Sequence, residues 1–156
     1  MLVGRLSEEI KQGKPFSSLE EEAILGIQRT ASVLGQAVAE VLKPYKLSRT
    51  QYNALRILRG AGGAGLACQE IGERMITRDP DITRLLDRLE ARKLIERSRS
   101  PRDRRVVLVR ISEAGRRLLS SMDSSIEGLP RRVLGHLGKR RVRLLIDLLE
   151  RARTPA

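Results

Sequence analysis

The chain has 156 residues, 40% of them hydrophobic, and 31 Lys and Arg against 19 Asp and Glu give it a net charge of +12. This excludes wholesale disorder, fits one compact domain over residues 1–156 or one protomer of an interlocked dimer, and points to a polyanionic partner. With a single cysteine, no apolar run of roughly 18 residues and no amino-terminal apolar segment of signal-peptide length, a soluble, cytoplasmic chain without membrane partner or intrachain disulfide is expected.

Met1 to Pro15 is mixed, with a short helix expected across Arg5 to Lys11 and a break at Gly13 and Pro15. From Leu19 the longest pattern begins: Ile24, Ile27, Ala31, Leu34, Val38, Val41 and Tyr45 alternate spacings of three and four, behind Ser18 as a cap and Glu20 to Glu22 in the first turn. This predicts a helix of about 25 residues, ended by Pro44. A helix so long in a small protein packs more naturally against a partner subunit than as an ordinary core helix.

Ser48-Arg49-Thr50-Gln51 has capping-box spacing and opens a helix through Arg59, with Tyr52, Leu55 and Leu58 toward the core. The run Gly60-Ala61-Gly62-Gly63-Ala64-Gly65 stops it. It invites comparison with a phosphate-cradling loop, but no lysine followed by Ser or Thr is present and no strand precedes it, so it reads as a flexible connector.

Apolar residues at 68, 71 and 75 make Ala67 to Met75 a short supporting helix. Asp79 as cap and Pro80 in the first turn predict a second helix from near residue 80. Its buried stripe is Ile82, Leu85, Leu86 and Leu89, leaving Asp81, Thr83, Arg84, Asp87, Arg88 and Arg92 outward. Residues 94–99 and 106–111 read as two strands around the turn Ser100-Pro101-Arg102-Asp103-Arg104-Arg105. Six arginines and one acid between Arg97 and Arg110 load this hairpin with planar donors suited to phosphates or a narrow minor groove. Net charge is spread as +3, +4 and +5 over residues 1–60, 61–110 and 111–156, so placement on a helix face and a hairpin tip, not charge, locates the reader.

Ser112 and Glu113 restart a helix, in which Ile111, Leu118 or Leu119, Met122, Ile126, Leu129 and Val133 recur at near-heptad spacing, interrupted by Gly128 and Pro130. A last helix is predicted over Lys139 to Arg153, with Val142, Leu144, Leu145, Leu148 and Leu149 apolar. Long apolar helices at both ends of a small reader suit an intertwined, mostly helical homodimer.

The run from Asp81 to Glu90, followed by Leu94-Ile95-Glu96-Arg97, Asp103-Arg104-Arg105 and Ile111-Ser112-Glu113-Ala114-Gly115, resembles the MarR family of winged helix-turn-helix regulators over roughly residues 19 to 152. The resemblance implies a mainly α fold with a small β-hairpin wing, a DNA-binding lobe over residues 47–112 and dimerisation helices over 19–45 and 113–153. It further implies a homodimer on a pseudo-palindromic operator, with a recognition helix in each major groove and a wing in the flanking minor groove. On this likeness Arg105 is the minor-groove arginine and Asp103 the carboxylate that steadies the wing. Lys93 stands where the family commonly has a glycine, Ile76 replaces the usual turn glycine, and Pro80 comes atypically early in the recognition helix.

The expected DNA-binding set is Arg78, Asp81, Thr83, Arg84, Arg88, Arg102, Asp103, Arg104 and Arg105, with Thr83, Arg84 and Arg88 nearest base edges. The reading that follows is a sequence-specific regulator, a repressor, released by a small-molecule effector. Phe16, Tyr45 and Tyr52 are the only aromatic wall available to that effector, whose binding residues the sequence does not name. The alternative is a non-specific architectural or RNA-binding basic protein. No enzyme, cofactor or metal is expected: His136 stands between Gly135 and Leu137 without a Ser, Cys or carboxylate at a telling spacing. Cys68 lies on the supporting helix's apolar stripe and reads as packing, whereas sensing cysteines in the resembled family usually lie near the amino terminus.

Overall fold

A computed structural model describes residues 6–78 and 81–154. The expected cap and first-turn positions Asp79 and Pro80 lie outside the described residues. Residues up to Ala37 form one compact unit and those from Val38 onward another.

The first unit holds helix α1 (Leu6–Glu9) and most of α2 (Leu19–Leu42). Ser18 Oγ accepts from Glu21 N at 3.1 Å, the predicted cap of α2. Within this unit Arg29 and Glu9 pair at 3.3 Å across the two helices. Ile24, Ile27 and Val33 of α2 are about half exposed.

In the second unit α2 ends in a 3-10 turn, Lys43–Tyr45, where Pro44 has no N–H to continue the α-helical ladder. Helix α3 (Arg49–Ala61) opens with the predicted capping box: Ser48 accepts from Gln51 N while the Gln51 side chain accepts from Ser48 N. The glycine run is not a loose connector but a 3-10 turn, Gly62–Ala64, leading into a short strand β1 (Leu66–Ala67) that no sequence pattern announces. Helices α4 (Cys68–Arg74) and α5 (Ile82–Ala91) follow, then β2 (Ile95–Arg99) and β3 (Val107–Ile111). The sheet therefore has three antiparallel strands in the order β1-β3-β2, with Ile95 opposite Ile111, Arg97 opposite Val109 and Leu66 opposite Val109. Helix α6 (Glu113–Glu127) is capped by Ser112, and Pro130 in the first turn of α7 (Leu129–Leu134) marks the interruption. A 3-10 turn and α8 (Gly138–Arg153) complete the chain.

The core draws from every element around the sheet. Leu55 and Leu58 of α3, Ile71 of α4, Leu86 and Leu89 of α5, and Leu119 of α6 are fully buried. Each side chain taken from water contributes roughly 1.5–3 kcal/mol, which fixes the three-helix reader around α5. Leu42 is also fully buried, although it lies off the predicted stripe of α2. Helix α8 buries nothing: Leu144, Ile146 and Leu148 are each more than half exposed.

Candidate nucleic-acid interface

Helix α5 is held by its leucine stripe and capped at Asp81, whose carboxylate accepts from Arg84 N at 3.1 Å and pairs with Arg84 Nε at 3.1 Å. The helix begins at Ile82, two residues later than the sequence pattern places it, with Asp81 as its cap. Burial of Leu85, Leu86 and Leu89 leaves Thr83, Arg84, Asp87 and Arg88 exposed on the opposite face. Arg78 is exposed, directly after the bend at Ile76 and Thr77.

The far end of α5 is closed by Lys93 in the left-handed conformation, φ 57°, at the position the family commonly gives to glycine. Lys93 N donates to Glu90 O at 2.7 Å and Leu94 N to Leu89 O at 3.0 Å, the paired bonds of a Schellman cap. Arg92 is exposed, as expected, but its guanidinium is engaged by the carbonyls of Lys46 and Tyr45, at 2.6 and 3.1 Å.

The wing sorts its six arginines by pleat. Ile95, Arg97 and Arg99 share one face of β2, and Ile95 is buried, so Arg97 is directed toward α5. There it meets Asp87 at 2.8 Å and also pairs with Glu90. Burial works to lower the Arg97 pKa, but the two carboxylates outweigh it and hold the guanidinium above its ordinary range. The pair neutralises Asp87, an exposed acid midway along the reading face, before any phosphate approaches. On the other sheet face Arg110 donates to Gly63 O at 2.6 Å and Ala64 O at 3.2 Å and bonds Ser98 Oγ, pinning the glycine turn to the wing. Arg99 donates to Arg104 O at 2.7 Å.

That leaves Arg102, Arg104 and Arg105 exposed at the tip. The tip closes on itself: Ser100 Oγ accepts from Arg102 N and Asp103 N, Asp103 Oδ1 from Arg105 N at 3.0 Å, and Asp103 O from Val106 N at 3.0 Å. Arg105 itself is 93% exposed, with its Nε 3.5 Å from Asp103. Of the six arginines expected to arm the hairpin, three are structural: Arg97, Arg99 and Arg110. Alternation along β2 and β3 is the signal that sets Arg97 and Arg99 on one sheet face and Arg110 on the other.

A cavity of about 330 Å³ lies between the end of α2, α3, the turn after α4, and the α6–α7 junction. Arg49, Tyr52, Asn53 and Arg56 line one wall, and Ile76 and Thr77 another. Asn53 Oδ1 accepts from Ile76 N at 2.9 Å, and the Arg56 guanidinium lies 5.8 Å from the Tyr52 ring centre. Tyr45 does not line it; its hydroxyl donates to Ser121 O. Cys68 is half-buried at the start of α4, packed against the core. His136 is exposed on the last 3-10 turn. Among the described residues no group of three or more His, Cys, Asp or Glu could hold a metal ion, and no helix is long and apolar enough to cross a membrane.

A short helix, a capped second helix with a polar outer face, and an arginine-tipped hairpin define a winged helix-turn-helix module. Comparison with known proteins agrees: the MarR family model matches residues 47–107. A MarR transcription factor from Planctomyces limnophilus is 40% identical, with a TM-score of 0.65 over 87% of this chain and 98% of that one. The HTH-type transcriptional regulator TtmR of Methylorubrum extorquens is 32% identical over 121 residues, 78% of this chain but only 59% of that protein's length. A cysteine-to-serine mutant of MarR from E. coli, solved in complex with operator DNA, is 26% identical with a TM-score of 0.76, covering 87% of this chain and 99% of that one. The chain belongs to the MarR family. These relatives are named as transcription factors or regulators, not as enzymes.

Proposed function

We propose that this chain is a transcriptional repressor that binds a pseudo-palindromic operator as a homodimer and is released by a small-molecule effector. The observation that carries this reading is the pairing of a capped helix whose outer face offers Thr83, Arg84 and Arg88 with a self-closed wing tip that offers Arg102, Arg104 and Arg105. Residues 47–112 are the DNA-binding lobe. Thr83, Arg84 and Arg88 approach base edges in the major groove, Arg78 and the Asp81 cap sit at the helix entrance, and Arg105 enters the minor groove with Asp103 as its brace. That the E. coli relative was solved with operator DNA supports duplex DNA as the partner.

Dimerisation through residues 19–45 and 113–153 is supported by the apolar side chains these segments expose: Leu19, Ile24, Ile27 and Val33 in one, and Leu144, Ile146 and Leu148 in the other. The cavity between α3 and the α6–α7 junction is the effector site. Its apolar walls and two guanidiniums suit a small anionic molecule with an apolar body. A ligand that engages Asn53 competes with the Ile76 N–H and shifts the turn that leads into α5, which changes the DNA-competent population.

The test is binding of the purified protein to the duplex upstream of its own coding region and to a scrambled duplex, over a salt series. Selective binding at one dimer per site is expected. Equal, salt-steep binding to both duplexes would favour the architectural reading or an operator elsewhere, and no binding would defeat the assignment.

A further inference from the structure

The reader does not account for where much of the positive charge lies. From Gly128 to Ile146 the sequence contains no Asp or Glu, yet it carries Arg131, Arg132, Lys139, Arg140, Arg141 and Arg143. All six are exposed on α7 and the first turns of α8. Among the described residues none of them has an ion-pair partner, in contrast to Arg59, Arg84, Arg97 and Arg151, each of which meets a carboxylate.

Such a cluster opposes folding. Like charges repel within a Debye length of about 8–10 Å. Lys139, Arg140 and Arg141 also crowd the positive end of the α8 dipole, which has no acid in its first turn and no side-chain cap. A helix selected for stability alone would carry acids there. Five of the six cations are arginines, whose forked donors match phosphate oxygens in pairs.

We propose that the α7–α8 face is a second nucleic-acid-binding surface, separate from the recognition helix and wing, that takes the phosphate backbone of a further stretch of duplex DNA without reading its sequence. A protein bound to its site through α5 and the wing then holds a second segment through this face, so each copy bridges two duplex stretches. Binding here is governed by counterion release, and its strength falls steeply with salt.

The test uses the full-length protein and R140Q/R141Q/R143Q; glutamine keeps the helix propensity of arginine, so α8 is retained. Affinity for a short random-sequence duplex is measured over a salt series. The log–log slope is expected to fall by about 0.9 for each phosphate no longer neutralised, up to about 2.7 for the three substitutions. R131Q/R132Q gives a second, independent reduction on α7. The wing variant R102Q/R104Q/R105Q lowers the slope separately, and combining it with the α8 variant adds the two reductions. Protein held on an immobilised duplex captures a labelled second duplex, and R140Q/R141Q/R143Q abolishes that capture per molecule held, whereas the wing variant, though fewer molecules are held, keeps the same capture per molecule. An unchanged slope in both the α7 and α8 variants would overturn the proposal. So would weakened self-association of R140Q/R141Q/R143Q in DNA-free sedimentation, because the patch would then be taken by the acid-rich start of α2, Glu20 to Glu22, in a second copy.

Discussion

The hydroxyl of Ser112 donates to the carbonyl oxygen of Lys93 at 2.7 Å, joining the cap of α6 to the residue that ends the recognition helix. The same hydroxyl oxygen accepts from Gly115 N at 3.0 Å, so one side chain serves two helix ends. Ser112→Ala is expected to cost about 1–2 kcal/mol, read as a lower midpoint in thermal unfolding. Lys93→Gly should move the other way by about 1 kcal/mol, because it removes a Cβ from the left-handed region. A neutral Ser112→Ala would show that the two helix ends are held by other means.

A Cβ on Gly115 would lie 2.3 Å from the Leu94 carbonyl oxygen and 2.8 Å from Ile111. Backbone cannot yield as a flexible side chain does, so Gly115→Ala should destabilise by about 1–3 kcal/mol and weaken duplex binding by displacing the end of α5. Gly60→Ala serves as the control. Its added Cβ meets nothing within 4 Å on the last turn of α3, and it should stabilise by about 0.4–1 kcal/mol.

Arg97 contacts no groove in the proposed complex, yet its removal should weaken DNA binding. Arg97→Met leaves Asp87 and Glu90 uncompensated beside the phosphates, and the drop in affinity should grow as salt is lowered. Adding Asp87→Asn should restore most of it. Failure of the double variant to recover would assign Arg97 a direct contact.

Two arginines separate reading from anchoring. Arg88→Ala should cost about 1–3 kcal/mol on the operator and relax a single base position. Arg105→Ala should weaken binding to every duplex alike and reduce the salt slope by about 0.9. If Arg105→Ala leaves both affinity and slope unchanged, the wing has been misassigned.

Acid should loosen the start of α2. Hydrogen bonds from the Ser17 side chain and backbone to the Glu21 carboxylate hold its pKa below the ordinary value. A depressed folded-state value means that the contribution is present above the unfolded pKa and is lost as pH falls through the folded one. The protection of the Ser17 amide, with the intrinsic pH dependence of exchange divided out, should therefore fall as the pH drops below the ordinary carboxylate range, and Glu21→Gln should flatten that dependence.

Much of this architecture is written locally. The Ser48 box, the Ser18 and Ser112 caps, and the stripe of Leu85, Leu86 and Leu89 fall where spacing alone places them, because each depends on neighbours within one or two turns. What escapes the sequence is direction over longer range. Strand β1 is two residues, too short for any period, and exists through its pairing with Leu108 and Val109. Arg92, Arg99 and Arg110 look like the arginines at the wing tip, but the backbone carbonyls that claim them come from elsewhere in the fold or around the hairpin turn. The cavity is assembled from segments as distant as Arg49 and Pro130, which no motif connects.

The grip of Arg110 on the carbonyls of Gly63 and Ala64 bears on how such a protein diversifies. At Gly65, φ 74°, a Cβ would strike both Val109 O and Arg110 within 2.8 Å, so the hairpin's base is a fixed socket. The tip above it is closed by its own hydrogen bonds at Ser100 and Asp103. A hairpin anchored below and self-sufficient above behaves as a cartridge: residues 100–106 can change length or composition to suit new flanking DNA while the recognition helix keeps its pose.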